Sequence, residues 1–225
     1  MCGRFILGIQ GQLWPDLIEL YPEGFTVVPR YNVAPTQSIP AVRSDGGSNR
    51  LEMMRWGLVP FWIKKMSDSS KYINARGETI TERPTYKNAF ARRRCLIPAT
   101  GFFEWRKGPG KTRQPMVIRL KTREPFAFAG IWERATPQNF PEEGEIVSCS
   151  IITTAPNDLV QPIHDRMPVI LSPELYKDWL NADNQDVGEL KEFLLPYDPG
   201  LMEAYPVSNL VNSIKNDGAE LIEPV

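Results

Sequence analysis

Cys2 puts two nucleophiles on one residue once Met1 is removed, as methionine aminopeptidases do ahead of small side chains. The freed α-amine, with a reference pKa of about 8, and the thiol, about 8.5, are then both partly nucleophilic near neutral pH. Their 1,2 spacing suits attack on a single electrophilic carbon, and a terminal amine that activates or replaces a side-chain nucleophile is an established route to covalent chemistry. The plainer alternative is an inert cysteine that happens to follow Met1. Two titratable residues elsewhere fit a supporting role. Glu104 stands between Phe103 and Trp105. It lies either on the solvated face of its strand or in an apolar pocket, where desolvation would raise its pKa and let it shuttle protons. His164, the sole histidine, sits in Pro162-Ile163-His164-Asp165-Arg166-Met167-Pro168. The bracketing prolines forbid a regular helix or central strand. It is either a surface histidine or the one side chain whose ordinary pKa lies near neutrality, with Asp165 and Arg166 orienting its loop through an ion pair. In Tyr72-Ile73-Asn74-Ala75-Arg76-Gly77-Glu78, an extended backbone would turn Asn74, Arg76 and Glu78 the same way.

The elements that must position these residues are mostly strands. Residues 2–9 read as a strand closed by Gly8 and Gly11, and 12–21 as a short amphipathic helix with Leu13, Leu17, Ile18 and Leu20 near one face and Pro15 in its first turn. Strands over 38–43 and 50–55 flank the turn Asp45-Gly46-Gly47. Trp56-Gly57-Leu58-Val59-Pro60-Phe61-Trp62 reads as an aromatic binding loop or as core. Residues 84–94 look helical, and 95–107 give two strands about a kink at Gly101. Gly108-Pro109-Gly110 returns the chain into 116–120, and buried strands follow over 126–131 and 146–154. Helices are expected over 173–181, with Ser172 as N-cap, and over 187–194. The tail from Val207 is a polar, turn-forming strip with a short apolar finish.

Composition narrows the class. The 225 residues are 42% apolar and include six tryptophans, which suits a globular protein with a proper core. No apolar run is long enough to span a membrane. Three cysteines without a CxxC pair argue against a disulfide framework or a structural zinc, and for a reducing cytoplasm. The net charge of -1 conceals segregation: residues 51–115 hold 14 Lys/Arg against 5 Asp/Glu, and residues 133–225 hold 5 against 17. The basic block includes Arg92-Arg93-Arg94 and is interleaved with Trp56, Trp62, Phe90, Phe102, Phe103 and Trp105. Cations for phosphates and aromatic faces for unpaired bases suit single-stranded nucleic acid; a solvated basic helix face would look the same on charge alone.

Seven motifs, MCGRF, RYNVAPTQ, WGLVPFW, INARGET, GFFEWRK, IHDRMP and VNSIKNDGAELIEPV, occur in this order from Cys2 to Val225. Together they closely resemble the SRAP (SOS response-associated peptidase) family. The resemblance implies an α+β fold, one domain over residues 1–225, with a strongly curved, barrel-like antiparallel sheet and flanking helices. It implies recognition of abasic sites in single-stranded DNA, including at single-strand/double-strand junctions, and a covalent cross-link through the terminal cysteine that shields the lesion. Matched motif by motif, Cys2 is the nucleophile, Asn74, Glu104 and His164 complete the active site, and Arg4, Asn32, Trp62, Arg76 and Trp105 line the DNA groove. No metal or organic cofactor is implied. The expected protein is a monomer of the cytoplasm, without membrane contact, associated with the nucleoid when on DNA.

The implied chemistry begins at an abasic deoxyribose, which opens to an aldehyde at C1′. The Cys2 amine adds and loses water to give a Schiff base, and the thiol then closes a five-membered thiazolidine on the same carbon, helped by proximity. Glu104 would relay protons, His164 would open the sugar ring and act again on reversal, and Asn74 would hold the sugar or the amine. Lyase activity could accompany the imine. Two alternatives remain: a thiol autopeptidase processing its own N-terminus, and a non-covalent reader of modified or single-stranded DNA.

Overall fold

The computed structural model describes residues 2–11, 13, 14 and 16–225. Five strands close into a barrel: β3 (Ser38–Asp45), β4 (Ser48–Trp56), β6 (Arg94–Ala99), β9 (Phe126–Ala135) and β10 (Ile146–Thr154). Four of its seams are antiparallel. The barrel-like antiparallel sheet expected from the sequence is thus present, and the fifth seam closes it in parallel: β10 joins β4 with Ser148 opposite Arg55 and Cys149 opposite Trp56. A parallel pair needs a long crossover, and the chain between β4 and β10 supplies one. The tight β3–β4 hairpin has a local cause. Asp45 pairs with Ser48, and Gly46 and Gly47 both take positive φ, at 62° and 100°, which matches hairpin twist and which other residues resist.

A second sheet of five strands packs beside the barrel in the order β13 (Met202–Pro206), β8 (Arg113–Leu120), β7 (Gly101–Lys107), β1 (Phe5–Leu7), β2 (Arg30–Val33). The N-terminal strand is thus interior to its sheet. Phe5 faces Val33 on one side and Phe102 on the other. Its ring is fully buried, packed edge-on against Trp56 and Phe128, whose centroids lie 5.2 and 5.8 Å away. Phe102 and Phe126 both meet Phe128 in the same manner. Each such pair adds about 1 kcal/mol beyond the area it buries, so the segment entering at Cys2 is clamped to both sheets. The opposite face of this sheet carries its own small core, Phe103 and Val117 under Val207, Val211 and Leu221 of the tail.

Strand β5 (Asn74–Arg76) lies along β10 in parallel, and β11 (Met167–Pro168) lies along its other edge. Both Arg76 and Pro168 stand opposite Thr153. One strand end therefore fixes both the asparagine segment and the histidine loop. Strand β12 (Ile170–Leu171) returns to β9.

Helix α1 (Pro84–Arg92) begins with a proline in its first turn and buries Ala89 and Phe90. The helices expected over 173–181 and 187–194 are shorter: a 3₁₀ turn and then α2 (Tyr176–Leu180), and α3 (Val187–Glu192). Ser172 occupies the cap position without a side-chain capping bond, whereas Asp186 does cap α3 through the Gly188 and Glu189 amides. The helix expected over 12–21 is absent among the described residues. Trp14 adopts a φ of 46°, only one turn forms after it, and Leu20 is drawn into a bridge with Arg50. Leu13 and Ile18 are buried all the same, so the apolar spacing marked core contact and not helix. Gln12 and Pro15, part of that expectation, lie outside the described residues. Among the described residues no helix is long and apolar enough to cross a membrane.

Candidate active site

Continuing the β1–β7 register from Phe5 opposite Phe102 carries Cys2 and Gly3 alongside Glu104 and Trp105. The amide of Phe103 donates to the Arg4 carbonyl at 3.0 Å and extends the pairing in that direction. Cys2 is fully buried. Asn74, reaching in from β5, donates through Nδ2 to the Cys2 carbonyl at 2.8 Å, and its Oδ1 is buried with no hydrogen-bond partner among the described residues. One amide thus pins the Cys2 backbone and keeps a buried acceptor free of protein partners among the described residues.

Glu104 is only 2% exposed, which settles the choice between solvated face and apolar pocket. The period-2 pattern cannot find a wet face here, because one face of β7 meets the barrel and the other the tail. Burial, the largest influence, lifts its carboxyl from 4.5 to about 7. Burial also drives the Cys2 thiol well above its ordinary value, and the Glu104 charge pushes the same way. His164 Nε2 lies 3.8 Å from Glu104 Oε2. Its imidazole is held below the ordinary value of 6.5, first by burial, so it is neutral at physiological pH. At Nδ1 two neighbours compete: the Arg166 amide donates to it at 3.1 Å, and Asp165 Oδ1 stands 2.9 Å away. The amide bond requires Nδ1 as its acceptor, and in a neutral ring that leaves the proton on Nε2, the nitrogen nearer Glu104.

Arg166 does not pair with Asp165 as expected from their adjacency. Its guanidinium grips Glu78 with bonds of 2.6 and 2.8 Å and donates to the Thr153 carbonyl at 2.7 Å. The Arg166–Glu78 pair holds the Glu78 carboxyl below its usual range. It ties the histidine loop to the segment following β5. Glu78 itself has left the expected alternation with Asn74 and Arg76, because a 3₁₀ turn starts at Gly77.

Cys2, the Asn74 anchor, a glutamate of raised pKa and a half-buried histidine are drawn together from four distant segments. The SOS response associated peptidase (SRAP) descriptor matches residues 1–214. The chain belongs to the SRAP family. The abasic site processing protein YoqW of Bacillus subtilis (strain 168) is 48% identical over 229 residues, 99% of each chain. The abasic site processing protein YedK of Escherichia coli (strain K12) is 32% identical over 240 residues, 100% of each. Among solved structures, a Bacteroides thetaiotaomicron protein superposes with a TM-score of 0.76 at 31% identity, covering 87% of this chain and 85% of that one.

The groove residues expected of a SRAP protein fall into two groups. Trp62 and Arg76 reach solvent; Trp62 is 40% exposed, with its ring set edge-on to Tyr72 at 6.1 Å. The loop around Trp62 is partly the core the sequence allowed, since Trp56, Leu58 and Val59 are buried, while Phe61 and Trp62 stand outside it. Arg4, Asn32 and Trp105 instead hold the tail. Asn32 is 1% exposed and donates to the carbonyls of Val211, Ser213 and Asn216. Arg4 donates to Asn32 Oδ1 at 2.7 Å and to the Val211 carbonyl at 2.8 Å. The Trp105 indole donates to Asn212 Oδ1. Asp217 completes the clamp, accepting from the Tyr31 and Asn32 amides and pairing with Arg30. Asp217 lies within the last of the seven motifs, but no local pattern in the sequence marks it as the residue that closes this clamp. The triple arginine also divides: Arg92 is exposed, Arg93 pairs with Glu133, and Arg94 is buried, donating to the carbonyls of Phe90, Ala91, Trp179, Asn181 and Asn184. Burial lowers the Arg94 pKa to about 10.

Proposed function

We propose that this protein captures abasic sites in single-stranded DNA, including at junctions with duplex, by closing a thiazolidine between Cys2 and the C1′ aldehyde after Met1 is removed. The observation that carries this reading is Glu104: a carboxyl with a pKa of about 7, buried beside a cysteine whose thiol is kept protonated. A carboxyl of that pKa is present in both forms at neutral pH and can serve as acid and as base in successive steps.

The steps follow from the order of reactivity. A thiol held well above its ordinary pKa is a poor first nucleophile, so the amine adds to the aldehyde first. Protonated Glu104 gives its proton to the departing hydroxyl, which leaves as water, and an iminium forms. The Glu104 carboxylate so produced takes the proton from the Cys2 thiol, and sulfur closes the ring on the same carbon. Amine, thiol and aldehyde become thiazolidine and one water, with Glu104 returned to its starting form. His164, carrying its proton on Nε2, acts on the sugar ring oxygen during opening, and the open Oδ1 of Asn74 accepts from the amine or a sugar hydroxyl. Trp62 and Arg76 meet base and phosphate, while Asn32, Arg4 and Trp105 act by fixing the tail that walls the groove.

The raised thiol pKa speaks against an autopeptidase that relies on a preformed thiolate. The test is the intact mass of the protein after incubation with an abasic oligonucleotide. The expected product is the sum of both masses less one water, formed only by protein lacking Met1. No adduct, or an equal yield with Met1 retained, would refute the reading.

A further inference from the structure

We propose that the turn end of the β7–β8 hairpin is a phosphate subsite, built from Lys107 and Arg113, for the DNA strand leading away from the abasic nucleotide. This rests on the function proposed above and adds a binding element to it. A cleft of about 580 Å³ runs from His164 to this hairpin, lined among others by Trp105, Lys107, Arg113, Pro162 and Asp165. Lys107 and Arg113 are direct cross-strand partners. Both are exposed, and neither makes an ion pair among the described residues. Like charges directly opposite each other weaken a sheet, so this placement gives the fold nothing by itself; an anion between them would reverse its sign.

The site is continuous with the chemistry. The Lys107 charge is felt at His164, where it contributes to holding the imidazole neutral. Asp165, the one carboxylate among these lining residues, stands 2.9 Å from His164 Nδ1. Trp105 lies between the two ends, its indole nitrogen fixed on Asn212 Oδ1 at 2.8 Å. A strand whose abasic sugar sits at Cys2 and whose backbone turns past His164 would meet an aromatic ring and then two cations, the order suited to unpaired DNA.

The test uses an oligonucleotide carrying a tetrahydrofuran abasic analogue, which cannot open to an aldehyde, so that binding is read without cross-linking. The full-length protein is compared with the double variant Lys107→Gln/Arg113→Gln and with a control pair of equal charge change, Lys177→Gln/Lys191→Gln. Losing two phosphate contacts should flatten the slope of log K against log salt by about 1.4 in the hairpin variant and leave the control unchanged. A single neutral methylphosphonate, moved along the strand, should weaken the native protein at one position flanking the lesion and have no further effect there on the hairpin variant. An unchanged slope in the hairpin variant, an equal loss in the control, or the absence of any such position would overturn the subsite. Should the native protein fail to cross-link a true abasic oligonucleotide in a parallel reaction, the proposed function itself would fall.

Discussion

Glu104 is a residue whose usefulness is bought with stability. Its carboxyl binds a proton more tightly in the folded protein than in the unfolded chain, where the value is near 4.5. Folding is therefore unaffected by this group below pH 4.5 and is progressively disfavoured as pH rises through about 7, the reverse of a salt-bridged carboxylate. The full cost above pH 8 is about 3 kcal/mol. Glu104→Gln should accordingly gain stability over the native protein between pH 4 and pH 8, by up to about 3 kcal/mol in urea unfolding, while losing most of its cross-linking rate. A stability difference that does not change with pH would show that the carboxyl titrates normally. Asn74→Ala removes the bond to the Cys2 carbonyl, an effect of about 1 kcal/mol on a neutral buried pair. The expected result is a slower cross-linking rate with little change in DNA affinity; a change in affinity alone would place Asn74 in the groove instead.

At the scale of elements, what could be read depended on whether the cause was local. The β3–β4 hairpin was legible because two adjacent glycines carry the turn. The segment over 12–21 was not, because its apolar spacing fits helix and irregular core equally well, and a bridge to Arg50 decided between them from far along the chain. The arginine cluster shows the same limit. Charge density suggested nucleic acid, yet Arg94 spends its donors on carbonyls closing α1 and the region after α2. Arg94→Ala should destabilise the protein by about 3 kcal/mol, since it leaves several buried carbonyls without donors. Its salt dependence of DNA binding should be unaltered, whereas Arg76→Ala should flatten the salt slope by about 0.7. Equal slopes for native and Arg76→Ala proteins would remove Arg76 from the groove.

At the scale of the whole molecule, two sheets and a tail converge on the chain's second residue. Interior placement of β1, the aromatic clamp on Phe5 and the bond from Asn74 hold the Cys2 backbone in place. The four proposed site residues lie in ordered motifs, but their meeting was not legible: Cys2 and Glu104 join through β1–β7 pairing, Asn74 and His164 through opposite edges of β10, and no short-range pattern encodes either. The central claim is that amine and thiol of one residue act together, and one denaturing gel tests it most directly. Native protein, Cys2→Ala and protein with a blocked terminal amine are each incubated with abasic single-stranded DNA, with and without borohydride. Native protein should give a heat-stable adduct unaided. Cys2→Ala keeps the amine and should give one only with borohydride. The blocked protein, whose nitrogen lone pair is delocalised into an amide, should give none. A heat-stable adduct at native yield from the blocked protein would contradict the account.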